Sequence, residues 1–144
     1  TFNMVQGEEG LKLSSKWKDE GTRTFLGIHT RGFPNLFLIA GPQGGGGSFN
    51  FTDAIDEHAE YVVWLLKTMK ENGKNRVDVL EEPEAEYTEH CRMADLSTRP
   101  LRDCVSYYNG HGDAQPGSLA YYGGGQWHKF RRRAQETLEP FIFA

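Results

Sequence analysis

Gly32-Phe33-Pro34-Asn35-Leu36-Phe37-Leu38-Ile39-Ala40-Gly41-Pro42-Gln43, followed by Gly44 to Gly47, Ser48 and a long amphipathic run, is the stretch whose reading decides the fold. Leu36 to Ala40 is apolar throughout and bounded by turn residues, the pattern of a short strand buried on both faces. The order is then strand, glycine-rich loop, helix. In an open α/β sheet, ligands gather at the carboxyl ends of strands, where helix N-termini offer unpaired N–H groups to anions and carbonyl oxygens. The expected class is α/β, or α+β if the chain is taken as an isolated fragment. The loop after Ala40 is the first place to look for a cofactor.

Downstream of the loop, Thr52 or Asp53 is the expected N-cap, with Asp53, Asp56 and Glu57 placing negative charge at the positive helix end. Ile55, Ala59, Val62, Leu66 and Met69 recur at helical spacing and predict one apolar face ending at Gly73. Upstream, Leu11, Leu13 and Trp17 suggest a short strand or hairpin before a turn at Lys18 to Gly21, and Phe25 to His29 suggests another strand. Val77 to Leu80 reads as a strand, and Glu81 to Leu96 as a helix with Pro83 near its first turn. The glutamates between 81 and 89 read as a solvated helix face rather than a metal site. Ser97 to Ser118 reads as a long loop, Leu119 to Tyr122 as a strand, Gly123 to Gly125 as a turn, and Gln126 to Leu138 as a helix halted by Pro140.

A chain of 144 residues with 38% hydrophobic and 25% charged residues is long enough for one domain, or it is a piece of a larger protein. Sixteen Lys and Arg against 20 Asp and Glu leave a net charge of −4, which argues against a nucleic-acid binder. No apolar run reaches the ~18 residues of a membrane span, and no basic-then-apolar leader opens the chain. A cytoplasmic protein with no membrane partner is expected. Cys91 and Cys104 lie outside any C-x-x-C spacing and read as free thiols.

Self-contained catalytic motifs fail one by one. No glycine run supplies the i, i+2, i+5 fingerprint of a dinucleotide site, and Gly73-Lys74 is followed by Asn75 rather than the Ser or Thr of a P-loop. Ser48 is not in a Gly-x-Ser-x-Gly elbow, and the histidines at 29, 58, 90, 111 and 128 show no zinc spacing with the cysteines. Gly44 to Ser48 also has the composition of a flexible linker.

Taken in order, Leu26-Gly27, Gly32-Phe33-Pro34-Asn35-Leu36-Phe37, Gly41-Pro42, Asn50, Glu57-His58, Ser106-Tyr107-Tyr108, Pro116-Gly117 and Tyr122-Gly123-Gly124 resemble the C-terminal part of Baeyer-Villiger monooxygenases, the class B flavin-dependent enzymes. The resemblance runs from about Gly21 to the C-terminus. It implies a parent enzyme that uses FAD, NADPH and O2 to insert oxygen beside a ketone carbonyl, through a C4a-peroxyflavin, giving an ester or lactone. Residues 1–73 would be the last segment of its FAD-binding domain and residues 74–144 a C-terminal mixed subdomain. The family's FAD and NADPH fingerprints and its active-site Arg lie outside these residues, so no catalytic residue is expected here and the remainder of the flavoprotein is the implied partner.

By the same resemblance, Gly41, Pro42 and Gln43 line the approach to the flavin, and Asn50 and Phe51 contact its ring. Gly46, Gly47, Ser48 and Phe51 shape the ketone pocket, which four glycines would make roomy enough for bulky ketones. Tyr107 stands where the family carries a Trp against NADP, and Ser118 where it carries Lys. From the residues alone, Phe51 also reads as a core aromatic and His58 as a buried structural histidine. Lys129 with Arg131 to Arg133 reads as a solvated face or a phosphate site. A non-catalytic α+β binding module is the alternative for the chain as a whole.

Overall fold

The computed structural model describes residues 2–44, 50–97 and 126–144. Among these residues, α-helices and short strands follow in the order α1 (Leu13–Glu20), α2 (Phe51–Glu71), β1 (Val77–Val79), α3 (Glu81–Ser97), α4 (Trp127–Thr137) and β2 (Phe141–Phe143). β1 and β2 pair antiparallel, with Val77 opposite Phe143 and Val79 opposite Phe141. The described part is thus helices around a two-stranded ribbon, the α+β form. No described helix is long and apolar enough to cross a membrane.

The stretch from Leu36 to Ala40 is not a strand. Asn35 and Ala40 sit at φ 59° and 53°, so the chain turns in the left-handed region at both ends of the run. Leu36, Phe37 and Leu38 are half-buried and Ile39 is exposed. Leu38 N–H donates to Ile28 O at 2.9 Å, a single bond where a ladder was expected. The apolar run is an irregular segment laid over the core on one side. Its preceding motif is bonded to β1 instead: Asn35 N–H donates to Val77 O, Asn35 Oδ1 accepts from Val77 N–H, and Gly32 N–H donates to Asp78 Oδ2 at 2.9 Å.

Two upstream expectations also change. Leu13 to Trp17 belongs to α1, because Leu13 and Lys16, three apart, are both buried on one helical side. Phe25 to His29 closes on itself as a tight turn, Phe25 N–H to His29 O at 2.8 Å and His29 N–H to Phe25 O at 3.0 Å, with Leu26 and Gly27 at positive φ. Residues this close in sequence leave no length for a strand.

α2 stops where its signals place it but starts earlier, at Phe51. The cap is Asn50 rather than Thr52 or Asp53: its side chain accepts from Thr52 N–H. Gly73, at φ 65°, closes the far end. The buried face is shifted from the expected one, consisting of His58, Tyr61, Leu65 and Met69, while Ala59, Val63 and Leu66 are exposed. A polar residue, His58, occupies a core position, and the periodicity of apolar residues alone could not register it. α3 matches its expectation except at Glu84, which is buried against Lys16 rather than solvated. β2 after Pro140 was not anticipated. Arg131 and Arg133 are ion-paired, to Glu57 and Glu86, so the basic cluster is tied to helices α2 and α3.

One apolar cluster joins the elements, with Phe25, Ile28, Tyr61, Val77, Tyr87 and Phe141 among its members. The sites expected at Gly46, Gly47, Ser48 and Tyr107, the strand Leu119 to Tyr122, the turn after it and Cys104 lie outside the described residues.

Candidate flavin-facing loop

Ala40 to Gly44 passes beneath the N-terminal half of α2 and packs on the turn that follows Phe25. Gly44 N–H donates to Gly41 O at 3.1 Å, closing the loop, and Gln43 enters the left-handed region at φ 64°. Gly27, at φ 70°, leaves no room for a side chain: a Cβ there would come within 2.1 Å of Gly44 Cα. Backbone therefore packs on backbone, which explains why the Leu26-Gly27 pair and the Gly41-Pro42 pair belong to one motif.

The side chain of Gln43, a residue expected to line a cofactor approach, is turned inward. Its Oε1 accepts from Thr24 N–H at 3.1 Å and Thr24 Oγ1 at 2.7 Å, while Nε2 donates to Thr22 O at 3.0 Å. Tyr87 Oη donates to the Gln43 carbonyl at 2.7 Å. These bonds satisfy a fully buried amide and fix the loop from below. Gly41 and Pro42 are half-buried, the Gly41 carbonyl accepting from Gly44 N–H at 3.1 Å and the Pro42 carbonyl from Thr24 Oγ1 at 3.2 Å.

His58 closes the loop from above. Its Nδ1 accepts from Ala40 N–H at 3.2 Å, so the ring proton resides on Nε2, which donates to Gly44 O at 2.8 Å. Burial pushes the His58 pKa down from its ordinary value, partly offset by the bond to Gly44, and the ring stays neutral at physiological pH. Trp127 stacks on the imidazole, centroids 5.5 Å apart at 16°, and donates Nε1–H to Leu26 O at 2.9 Å. Arg131 lies 5.5 Å over the Trp127 ring and pairs with Glu57. Sequence reasoning paired Glu57 with His58 but had no signal for Trp127 or Arg131, which arrive from some 70 residues downstream.

Past the glycines, Asn50 and Phe51 are brought to the start of α2. Asn50 Oδ1 accepts from Thr52 N–H and from Thr52 Oγ1 at 2.8 Å. Phe51 is 64% exposed in this chain and does not enter its core. The helix start presents an N-terminal turn, whose field favours negative charge, and one exposed aromatic ring. Asp53 in the first turn already uses part of the helix field. Among the described residues no group of three His, Cys, Asp or Glu side chains could hold a metal ion.

Comparison with known proteins follows the same geometry. Pentalenolactone D synthase of Streptomyces exfoliatus is 34% identical over 125 residues, covering 84% of this chain and 21% of that protein. A Baeyer-Villiger monooxygenase of Streptomyces coelicolor is 31% identical over 142 residues, covering 96% of this chain and 23% of that one. The solved structure of OTEMO in complex with FAD and NADP superposes with a TM-score of 0.80 at 28% identity, over 96% of this chain and 26% of OTEMO. In sequence and fold, the chain matches part of the Baeyer-Villiger monooxygenases. It spans about a fifth to a quarter of the length of these relatives. No family model matches.

Proposed function

We propose that this chain is the C-terminal part of an FAD- and NADPH-dependent Baeyer-Villiger monooxygenase that converts a ketone to an ester or lactone. The observation that supports the reading is the loop from Ala40 to Gly44, bonded at both ends by His58 of α2, in a chain that matches the fold of OTEMO solved with FAD and NADP. FAD, when bound, supplies the oxygen-activating chemistry. The chain's own part is to orient and enclose it. The backbone of Gly41, Pro42 and Gln43 borders the ring, Asn50 fixes the helix start whose N–H groups favour an anion, and Phe51 faces the ring and the ketone.

Gly46, Gly47 and Ser48 form the adjoining wall of the ketone pocket in this reading, and Tyr107 stacks near NADP. Glycines there leave space for bulky ketones. Residues 1–73 complete the FAD-binding domain and residues 74–144 form the mixed subdomain behind it. The remainder of the flavoprotein is the partner, ketone and O2 are the substrates, and the protein works in the cytoplasm, where NADPH is supplied.

The test is purification of the longest natural polypeptide that contains this sequence. Bound FAD, NADPH oxidation that depends on a ketone, and a product heavier by one oxygen are the expected results. A polypeptide that retains no flavin overturns the reading. Gly46→Leu with Gly47→Val should then lower turnover of polycyclic ketones more than of cyclohexanone, by a specificity shift of ~1–3 kcal/mol.

A further inference from the structure

The loop from Ala40 to Gly44 carries two non-glycine residues in the left-handed region, Ala40 at φ 53° and Gln43 at φ 64°. Such residues are disfavoured on their own, so the loop conformation is imposed by what surrounds it. The groups that impose it form a closed circuit. His58 reaches both the entry of the loop, Ala40 N–H, and its exit, Gly44 O. Gly44 packs on Gly27, the preceding Leu26 O accepts from Trp127 Nε1–H at 2.9 Å, and Trp127 stacks back on His58. Glu57, beside His58, pairs with Arg131, which in turn covers the outer face of Trp127.

We propose that His58, backed by Trp127 and Arg131 of α4, is a positioning residue that presets the Gly41-Pro42-Gln43 backbone for the flavin. The inference rests on the reading that this loop borders FAD. One imidazole spans the five residues from Ala40 to Gly44 with one acceptor and one donor nitrogen, so it fixes both ends of the three residues between. Among the described residues, α4 is tied to this region through the Trp127 bond to the Leu26 carbonyl, the stack on His58 and the Arg131–Glu57 pair. It would therefore tune flavin binding from a distance, without contacting the cofactor.

Two substitutions separate this role from a filler of core volume. His58→Phe keeps a flat ring for Trp127 to stack on and removes both hydrogen bonds. His58→Gln keeps one acceptor and one donor. In this chain, amide hydrogen exchange at Ala40 should quicken by about tenfold or more in His58→Phe, the scale of one lost hydrogen bond, while the amides of mid-α2 around Leu65 keep their protection. Nitrogen-15 spectra of the wild-type ring should report the proton on Nε2. In the flavin-bearing natural polypeptide, His58→Phe should weaken FAD retention about tenfold or more and His58→Gln should restore part of it, with KM for the ketone little changed.

Equal exchange at Ala40 in wild type and His58→Phe overturns the clasp. Faster exchange at Ala40 and mid-α2 in equal measure makes His58 an ordinary core residue and overturns it too. A clasp intact by exchange but without effect on FAD retention overturns the positioning role. A wild-type polypeptide with no flavin at all counts instead against the monooxygenase reading, because the exchange experiment needs no cofactor.

Discussion

His29 lies in an aromatic cage. Its ring centroid is 5.5 Å from Phe37, 5.7 Å from Tyr61 and 5.2 Å from Phe141, and its Nε2 is buried without a hydrogen-bond partner among the described residues. Desolvation therefore pushes its pKa from 6.5 down to about 3. The folded state holds this ring neutral, whereas the unfolded chain protonates it below about pH 6.5. The contribution to stability is complete above that pH and falls as the pH drops towards 3, at about 1.4 kcal/mol per pH unit. Urea midpoints at pH 7, 6 and 5 should fall accordingly, and His29→Phe should flatten the slope; an unchanged slope would remove His29 as its source. Lys16 and Glu84 offer the opposite case, a buried pair at 2.9 Å, with Glu84 also accepting from Arg31 N–H at 2.7 Å and Thr30 Oγ1 at 3.2 Å. Glu84→Ala strands a buried ammonium and should cost about 3–5 kcal/mol, while Lys16→Met with Glu84→Leu should recover much of it. Denaturant titration of both variants checks the asymmetry.

At the scale of the element, α2 carries more apolar surface than this chain covers. Leu65 is fully buried, yet its neighbour Leu66 is 47% exposed and Val63 is 49% exposed. A helix with so wide an apolar arc is expected to be covered on more than one side. Leu65→Ala should cost about 2–5 kcal/mol by thermal or urea unfolding, whereas Leu66→Lys and Val63→Glu should stay within about 0.5 kcal/mol and reduce concentration-dependent self-association seen by sedimentation. A large loss of stability from Leu66→Lys would restore the face expected from periodicity. This arc also explains what was legible. α2, α3, α4 and β1 follow from caps, period and turn residues that act within a few positions. The phase of α2 did not, because His58 is polar and faces inward while Leu66 is apolar and faces outward. Leu36 to Ala40 failed for a related reason: five apolar residues suit a strand or a surface-hugging coil equally well, and only the pairing of Asn35 with β1 decides between them. Gly41, Pro42, Asn50 and Phe51 enter the flavin reading through family resemblance alone. The link from Trp127 and Arg131 to His58 was not legible, since no local pattern ties them together.

Among the described residues, one apolar cluster takes Phe25, Leu65, Val77, Tyr87, Trp127 and Phe141, each from a different segment, while Leu13 of α1 is buried outside it. β2 is joined at both ends: Ala144 O accepts from Arg76 N–H at 2.9 Å, and Pro140 O from Leu80 N–H at 2.8 Å. Elements that contribute to a single cluster unfold together, so near-ultraviolet signals from the tryptophans and far-ultraviolet helical signal should report one coincident urea transition. Cooperative folding does not make the chain a catalyst. Oxygen transfer to a ketone needs flavin, nicotinamide and ketone held within reacting distance, and the sequence carries no dinucleotide fingerprint. With FAD, NADPH and a bicyclic ketone added, the 144-residue chain should therefore oxidise NADPH no faster than free FAD does and yield no lactone, while still showing its single unfolding transition. Ketone-dependent turnover above the free-flavin rate, from a chain shown by mass spectrometry to be alone, would mean that the residues at 45–49 and 98–125 complete a site by themselves.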